Sequence, residues 1–154
     1  MVGEGTMVTS SSFAINSPTY ADGMIFVALS GGRIQAFDAE SLESLWVYTD
    51  PLGGQPNCPI AYCDGYIYTG FWNSETKQAN FAGISVTDED PTQPQETKLA
   101  AWTYTHNGFY WAGAYACGDF VMVGTDDGEA QCSYLYLLCL LYTSPSPRDM
   151  RRSR

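Results

Sequence analysis

Apolar residues along the chain fall in short runs between turns rich in glycine, aspartate and proline, and this pattern predicts an all-β chain. Residues 24–29 (Met-Ile-Phe-Val-Ala-Leu) are continuously apolar, as in a strand that is buried on both faces. Asp-Gly at 22–23 and Gly-Gly at 31–32 are tight-turn signals on either side of that run. Residues 33–37 alternate polar and apolar, which is typical of a half-buried strand, and residues 45–48 complete a four-stranded unit.

The unit over residues 17–49 recurs twice along the chain. Residues 59–70 repeat residues 18–28 with one residue added before the tyrosine, and residues 114–124 supply a third copy. Trp-Val-Tyr-Thr at 46–49 also matches Trp-Thr-Tyr-Thr at 102–105. Aligned on Tyr-x-x-Gly, the anchor pairs are Tyr20/Gly23, Tyr62/Gly65 and Tyr115/Gly118. Repeats of this spacing indicate a solenoid or a propeller.

The segments outside the repeated strands are polar. Residues 73–80 and 87–98 are predicted to be lengthened loops around a strand at 81–86, and the acids at 88–90 are expected to be solvated. Residues 5–14 are polar and β-prone, which predicts one edge strand.

Composition excludes several classes of function. The 154-residue chain is 45% hydrophobic and 14% aromatic, enough for one packed domain, and its net charge of −10 should repel nucleic acid and anionic membranes. Four of the seven Lys and Arg residues lie in residues 139–154, so the remainder is still more acidic. No apolar run approaches the roughly 18 residues of a membrane span, and residues 1–16 contain no visible signal peptide.

The cysteines do not form a metal-binding pattern. No two of the five are spaced C-x-x-C, and the single histidine, His106, cannot complete a zinc set. Buried free thiols are expected, while one disulfide stays open as an alternative.

Residues 36–46 carry a more specific resemblance. Ala36-Phe-Asp38-Ala-Glu-Ser-Leu42-Glu-Ser-Leu-Trp46 resembles the tryptophan-docking motif of quinoprotein-type (PQQ-like) β-propellers, roughly A-x-D-x-x-T-G-x-x-x-W, and departs from it at Leu42, where the family has glycine. The resemblance covers about residues 5–137. It implies four-stranded antiparallel blades, with Trp46, Trp102 and Asp38 as the structural residues that dock neighbouring blades.

The resemblance implies a partial propeller of about two and three-quarter blades, short of the roughly four to eight that close a ring. The divisions expected are 1–16 as an edge strand or the remnant of a preceding blade, 17–56 as the first blade, 57–108 as a second blade with long loops, and 109–138 as an incomplete third blade.

Residues 139–149 (Cys-Leu-Leu-Tyr-Thr-Ser-Pro-Ser-Pro-Arg-Asp) are similar to a one-frame translation of a transposase sequencing adapter. We therefore predict that residues 139–154 are an artefactual, disordered tail, and that the missing blades belong to the same chain in a longer protein. A genuine basic, Pro/Ser-rich tail is the alternative.

No residue is predicted to be catalytic, cofactor-binding or metal-ligating. Enzymes of the family bind pyrroloquinoline quinone and Ca²⁺ and have adjacent cysteines, which this sequence lacks. Asp-Asp-Gly-Glu at 126–129 is predicted to be a turn, with a Ca²⁺ site as the alternative. The predicted ligand-binding face combines aromatic rings with amides, which suits a sugar or a peptide. Its residues are Trp72, Asn73, Asn107, Tyr110 and Trp111. The alternative is that residues 109–111 simply begin a buried inner strand.

The sequence thus predicts a non-catalytic propeller segment that acts as an interaction or ligand-binding scaffold, with a protein or carbohydrate ligand. The resemblance places it in a larger bacterial protein that is secreted or at the cell surface. The alternative is a fragment of a PQQ-dependent dehydrogenase, and only then are PQQ and Ca²⁺ expected as cofactors.

Overall fold

A computed structural model describes residues 3–11, 15–106, 108–109, 111–127 and 132–139. Within these ranges the chain has no helix, and hence no helix long and apolar enough to cross a membrane. The strands are β1 (Thr19–Ala21), β2 (Met24–Leu29), β3 (Arg33–Asp38), β4 (Ser44–Thr49), β5 (Ala61–Cys63), β6 (Tyr66–Asn73), β7 (Gln78–Ser85), β8 (Glu96–Lys98), β9 (Trp102–His106), β10 (Ala114–Cys117), β11 (Phe120–Asp127) and β12 (Cys132–Cys139).

The strands form three sheets, which we call blades 1 to 3. Blade 1 has the order β1-β2-β3-β4-β8, blade 2 the order β5-β6-β7-β9, and blade 3 the order β10-β11-β12. Neighbouring strands are antiparallel except β4 and β8, which are parallel. This is the all-β, partial-propeller architecture that the sequence predicts.

Two apolar cores lie between consecutive blades, and the alternation of side chains along blade 2 serves both. Ile67, Ala82 and Ile84 point into the core shared with blade 1, where they meet Phe26 and Trp46. Tyr68, Ala79 and Phe81 point the other way, into the core shared with Val121 and Val123 of blade 3. Because both faces of blade 2 are covered, β6 and β7 are buried over most of their length.

The two outward faces of the array are covered unequally. On blade 3, the side away from blade 2 exposes five large apolar side chains in neighbouring rows, namely Tyr115, Phe120, Met122, Leu135 and Leu137. On blade 1, Ile25 and Val27 are half-buried and line a groove with Met7 and Leu42. The exposed face of blade 3 is an apolar surface of the kind that normally meets a partner.

The amino-terminal segment differs from its prediction. No strand occurs in residues 3–11, whereas residues 12–14 lie outside the described ranges. The segment crosses the outward face of blade 1, where the Val8 N–H donates to Gln35 Oε1 at 2.9 Å and Gln35 Nε2 donates to the Thr6 carbonyl at 3.2 Å. Gln35 is consequently fully buried, so β3 is buried on both faces rather than half-buried.

Both predicted long loops of blade 2 contain more regular structure than expected. Pairing of β6 with β7 runs from Tyr66↔Ser85 to Asn73↔Gln78, so residues 73–80 contribute only a short turn. Residues 87–98 end in β8, which returns to pair with β4 of blade 1 through Trp46↔Glu96 and Tyr48↔Lys98. The acids of this segment are not simply solvated, because Glu89 pairs with Lys98 at 2.8 Å and Asp88 Oδ1 is buried.

Strand register corrects the alignment of the third repeat. In blades 1 and 2 the first hairpin turns at Asp22-Gly23 and Asp64-Gly65, with positive φ at both residues, as in type I′ turns. In blade 3 the turn is Gly118-Asp119, with positive φ only at the glycine, as in type II′. Asp119 therefore occupies the position of Gly65, and Ala116, not Tyr115, is the counterpart of Tyr62.

Candidate functional site

Trp46 lies in the core between blades 1 and 2. Its side chain is fully buried, and its Nε1–H donates to the Val86 carbonyl at 3.2 Å, just after β7 of the neighbouring blade. On blade 1 its ring centroid is 5.8 Å from that of Phe26. Trp46 therefore packs against its own blade and donates a hydrogen bond to the next one.

Trp102 holds the same place in blade 2. It pairs with Gly83 as Trp46 pairs with Ala36, and its ring centroid lies 6.1 Å from those of Tyr68 and Phe81. A Cβ atom on Gly83 would lie 2.6 Å from Cε2 of Trp102. The small residue on the third strand is thus the surface on which the indole rests.

Asp38 organises the turn between β3 and β4. Its Oδ1 accepts hydrogen bonds from the Glu40 N–H at 3.0 Å and from the Ser41 N–H and hydroxyl at 2.8 and 3.0 Å, and these bonds lower the pKa of the carboxyl. Leu42, at the family's glycine position, adopts φ 60°. The turn keeps a left-handed conformation without glycine, while the Leu42 side chain packs against Gly3 and Gly5.

The predicted ligand face is only partly described. Asn107 and Tyr110 lie outside the described residues. Asn73 is engaged within the chain, since its Nδ2 donates to the Leu52 carbonyl at 2.7 Å and its Oδ1 accepts from the Glu75 and Thr76 N–H groups. Trp72 pairs through its backbone with Gln55, whereas the Trp111 side chain is 48% exposed. Of the described members, Trp111 is the one that presents its ring to solvent.

A buried polar network that the sequence did not reveal lies at the same ends of the strands. Asp50, only 1% exposed, follows β4 and accepts hydrogen bonds from Tyr48 Oη at 3.1 Å, Asn80 Nδ2 at 3.0 Å and the Leu52 N–H at 3.0 Å. Thr105 donates to Asn80 Oδ1 at 2.5 Å, so the network joins β4 of blade 1 to β7 and β9 of blade 2. Desolvation raises the pKa of Asp50 despite these donors.

A second cluster of polar side chains lies in the segments just before β1 and β5, the first strands of blades 1 and 2. Asn16 Nδ2 donates to the Asn57 carbonyl, and Asn57 Nδ2 lies 3.4 Å from Gln55 Oε1. Asn57 is buried, with no hydrogen-bond partner for its Oδ1 among the described residues. Next to it, burial raises the pKa of the Cys58 thiol to about 12, which makes that thiol unreactive. In a Pro- and Gly-rich loop, an Asp or Asn is normally predicted to be a turn residue. The clusters around Asp50 and Asn57 were therefore not predicted.

No three His, Cys, Asp or Glu side chains come together as a metal site in the part of the chain that the structure describes. His106 lies among aromatic rings instead, with ring centroids of Tyr104 and Tyr136 at 6.2 and 5.2 Å. The predicted turn at 126–129 is only partly described, since residues 128–131 lie outside the described ranges.

Comparison with known proteins identifies the fold. No protein-family profile and no curated protein matches the sequence. Among solved structures, the chain is similar to quinohemoprotein alcohol dehydrogenase from Comamonas testosteroni, with 16% identity, a TM-score of 0.56, and coverage of 81% of this chain and 19% of that one. It is also similar to BamB from Moraxella catarrhalis, with 15% identity, a TM-score of 0.52, and coverage of 77% and 30%.

A europium-containing methanol dehydrogenase gives 11% identity, a TM-score of 0.55, and coverage of 74% of this chain and 26% of that one. The chain therefore spans less than a third of the length of each of these structures. These likenesses agree with the strand order and the blade-to-blade cores. The chain has the fold of a segment of a PQQ-like β-propeller.

Proposed function

We propose that the chain is a non-catalytic segment of a PQQ-like propeller that serves as an interaction or ligand-binding scaffold. The observation that carries this proposal is the exposed indole of Trp111. An exposed aromatic ring suits stacking against a sugar ring or a peptide side chain.

A structural role for the acidic and amide groups supports the non-catalytic part of the proposal. The Asp50 carboxylate is surrounded by three donors of its own chain and is closed to solvent, which does not fit a base that must reach a substrate. The adjacent cysteines of the quinone-binding enzymes have no counterpart in the sequence.

The partners in this proposal begin with further blades of the same, longer chain. The exposed rows on blade 3 supply the apolar surface that a following blade would cover, as blade 3 covers blade 2. A protein or carbohydrate ligand then binds at the Trp111 end. The resemblance to the propeller family supports a secreted or cell-surface bacterial protein as the setting.

Binding of glycans and peptides to the complete protein tests the proposal. We expect a ligand from an array of polysaccharide fragments and peptides to bind the parent chain, and to bind the Trp111→Ala variant at least tenfold more weakly. Tyr20→Ala is the matched control, since Tyr20 is an exposed aromatic residue on the first blade. Equal binding by both variants and the parent would refute the proposed face.

A fragment of a PQQ-dependent dehydrogenase is the second candidate, favoured by the two dehydrogenases among the similar structures. Reconstitution of the complete protein with PQQ and Ca²⁺, followed by an alcohol-oxidation assay with an artificial electron acceptor, separates the two. Cofactor-dependent turnover would reverse our order of preference. Assembly of the full gene from independent reads would show whether residues 139–149 belong to the protein.

A further inference from the structure

Two equivalent tryptophans have different surroundings at the end of the blades opposite to Trp111. Beside Trp46, the insertion of blade 2 adds β8 to the outer edge of β4 and brings the Lys98 ammonium to 5.8 Å from the indole centroid. Beside Trp102, the outer edge of β9 has no strand paired to it within the described residues.

The Lys98 side chain is almost completely buried, which is rare for lysine and requires compensation. Its Nζ donates to the Thr87 carbonyl at 2.5 Å and to Glu89 Oε1 at 2.8 Å, in addition to its contact with the Trp46 ring. Aromatic face, carbonyl and carboxylate together form a complete ammonium site. The chain fills this site between blades 1 and 2 with its own lysine.

The corresponding place between blades 2 and 3 is a cavity of about 270 Å³. Its walls are the rings of Tyr66, Tyr68 and Trp102, and neighbouring ring centroids are 6.5 and 6.1 Å apart. Asp64 and Asp119 also line the cavity, and none of the described lining residues is basic. The described lining therefore combines π faces with acidic side chains and includes no cation.

We propose that this cavity and the edge of β9 together bind an extended, lysine-bearing segment of a partner protein. The segment pairs with β9 in parallel, as β8 pairs with β4. By the register of Trp46↔Glu96 and Tyr48↔Lys98, the segment's counterparts of Glu96 and Lys98 lie opposite Trp102 and Tyr104. Its lysine then lies opposite Tyr104, and the ammonium enters the cavity between the aromatic rings and the two carboxylates. Main-chain pairing supplies affinity and the lysine supplies selectivity.

The chain itself provides the probe for the test. A capped heptapeptide with the sequence of residues 93–99 carries the β8 strand and its lysine, and its binding to the 154-residue chain is measured by titration calorimetry. We expect saturable binding, with affinity at least tenfold lower when the lysine is replaced by norleucine. The Gln95 N–H donates to the Leu45 carbonyl at 3.1 Å, and since every second residue of a strand faces the same neighbour, the Thr97 N–H is the next donor. A peptide with proline at the position of Thr97 lacks this N–H and should also bind weakly.

Protein variants locate the site. Asp64→Asn combined with Asp119→Asn should reduce peptide affinity at least fivefold, while Asp22→Asn, at the equivalent turn of blade 1, should leave it unchanged. Circular dichroism of each variant checks that the fold is retained. Equal binding of the lysine and norleucine peptides, or an equal effect of Asp22→Asn, would overturn the proposal. Concentration-dependent dimers of the chain alone that the peptide disperses would also overturn it, because a second copy would then be the occupant.

Discussion

The Nε1–H of Trp46 donates to the Val86 carbonyl at 3.2 Å, which ties the last antiparallel strand of blade 1 to the end of the third strand of blade 2. The bond lies inside a core, where an unmade hydrogen bond is costly. Neither blade would retain this contact on its own, so the stability of blade 1 depends on blade 2.

Trp46→Ala should therefore lower the free energy of unfolding by about 3–5 kcal/mol, since it leaves a large cavity and an unpaired carbonyl. Trp111→Ala removes the same side chain from a half-exposed position and should change stability by about 0.5 kcal/mol or less. Urea unfolding followed by circular dichroism measures both. Similar losses of unfolding free energy in the two variants would contradict the contribution to stability that we assign to Trp46.

Gly83→Ala tests the surface beneath Trp102. The new methyl group would lie 2.6 Å from the indole and would force the ring or the strand to move, at a cost of about 1–3 kcal/mol. Gly124→Ala is the matched control in another strand, where the nearest atom to the new Cβ is 3.5 Å away. Thermal unfolding should separate the two variants, and equal melting temperatures would show that Trp102 does not rest on residue 83.

Equivalent turn positions should respond differently to alanine. Gly65→Ala places a side chain at φ 78° and should cost about 1–2 kcal/mol. Asp119→Ala, at the same structural position in blade 3, meets no positive φ and should be nearly neutral. Chemical denaturation of the two variants measures this difference. A large loss at Asp119 would mean that the third repeat keeps the alignment on Tyr115.

Burial of Asp50 gives a pH dependence of definite sign. Because its pKa is raised by desolvation in the folded chain, the folded state holds its proton more tightly than the unfolded state does. The contribution is stabilising below the unfolded pKa of about 3.9 and is lost as the pH rises through the folded pKa. Asp50→Asn should therefore flatten the fall in stability from pH 4 towards neutrality.

The control for this pH dependence is Asp90, whose pKa is lowered by hydrogen bonds from Thr92 and Gln93. Its contribution is present above the unfolded pKa and is lost on acidification, so Asp90→Asn should remove stability at neutral pH and little at pH 3. Urea unfolding at several pH values measures both variants. Parallel pH profiles for Asp50→Asn and the parent would contradict the role given to Asp50.

Sequence patterns predicted most strands because burial on a sheet alternates with a period of two and because turns require specific residues. The run at 24–29 became β2 with the expected bounds. The pattern failed at β8, since Glu-Thr-Lys has no apolar period and pairs in parallel with a strand far earlier in the chain. Gln35 also resisted prediction, because its burial depends on backbone partners in the amino-terminal segment.

The candidate site was less predictable than the fold. Trp72 and Asn73 were chosen for their residue types, but their pairing with the 50–57 loop depends on how two blades meet. Asp50 and Lys98 looked like loop residues, and only tertiary packing makes them buried and hydrogen-bonded. The alignment of the third repeat failed for a local reason, because a glycine serves either position of a two-residue turn when the turn type changes.

The parallel pairing of β8 with β4 also has a consequence for synthesis on the ribosome. Blade 1 lacks its outermost strand, and Trp46 lacks both its carbonyl partner and its lysine, until residue 98 has left the exit tunnel. At typical rates of elongation, the stretch from Thr49 to Lys98 takes roughly 2–10 s to synthesise. Blade 1 therefore spends that interval with an open edge, and the first cooperative folding unit of the nascent chain is the pair of blades rather than the single repeat.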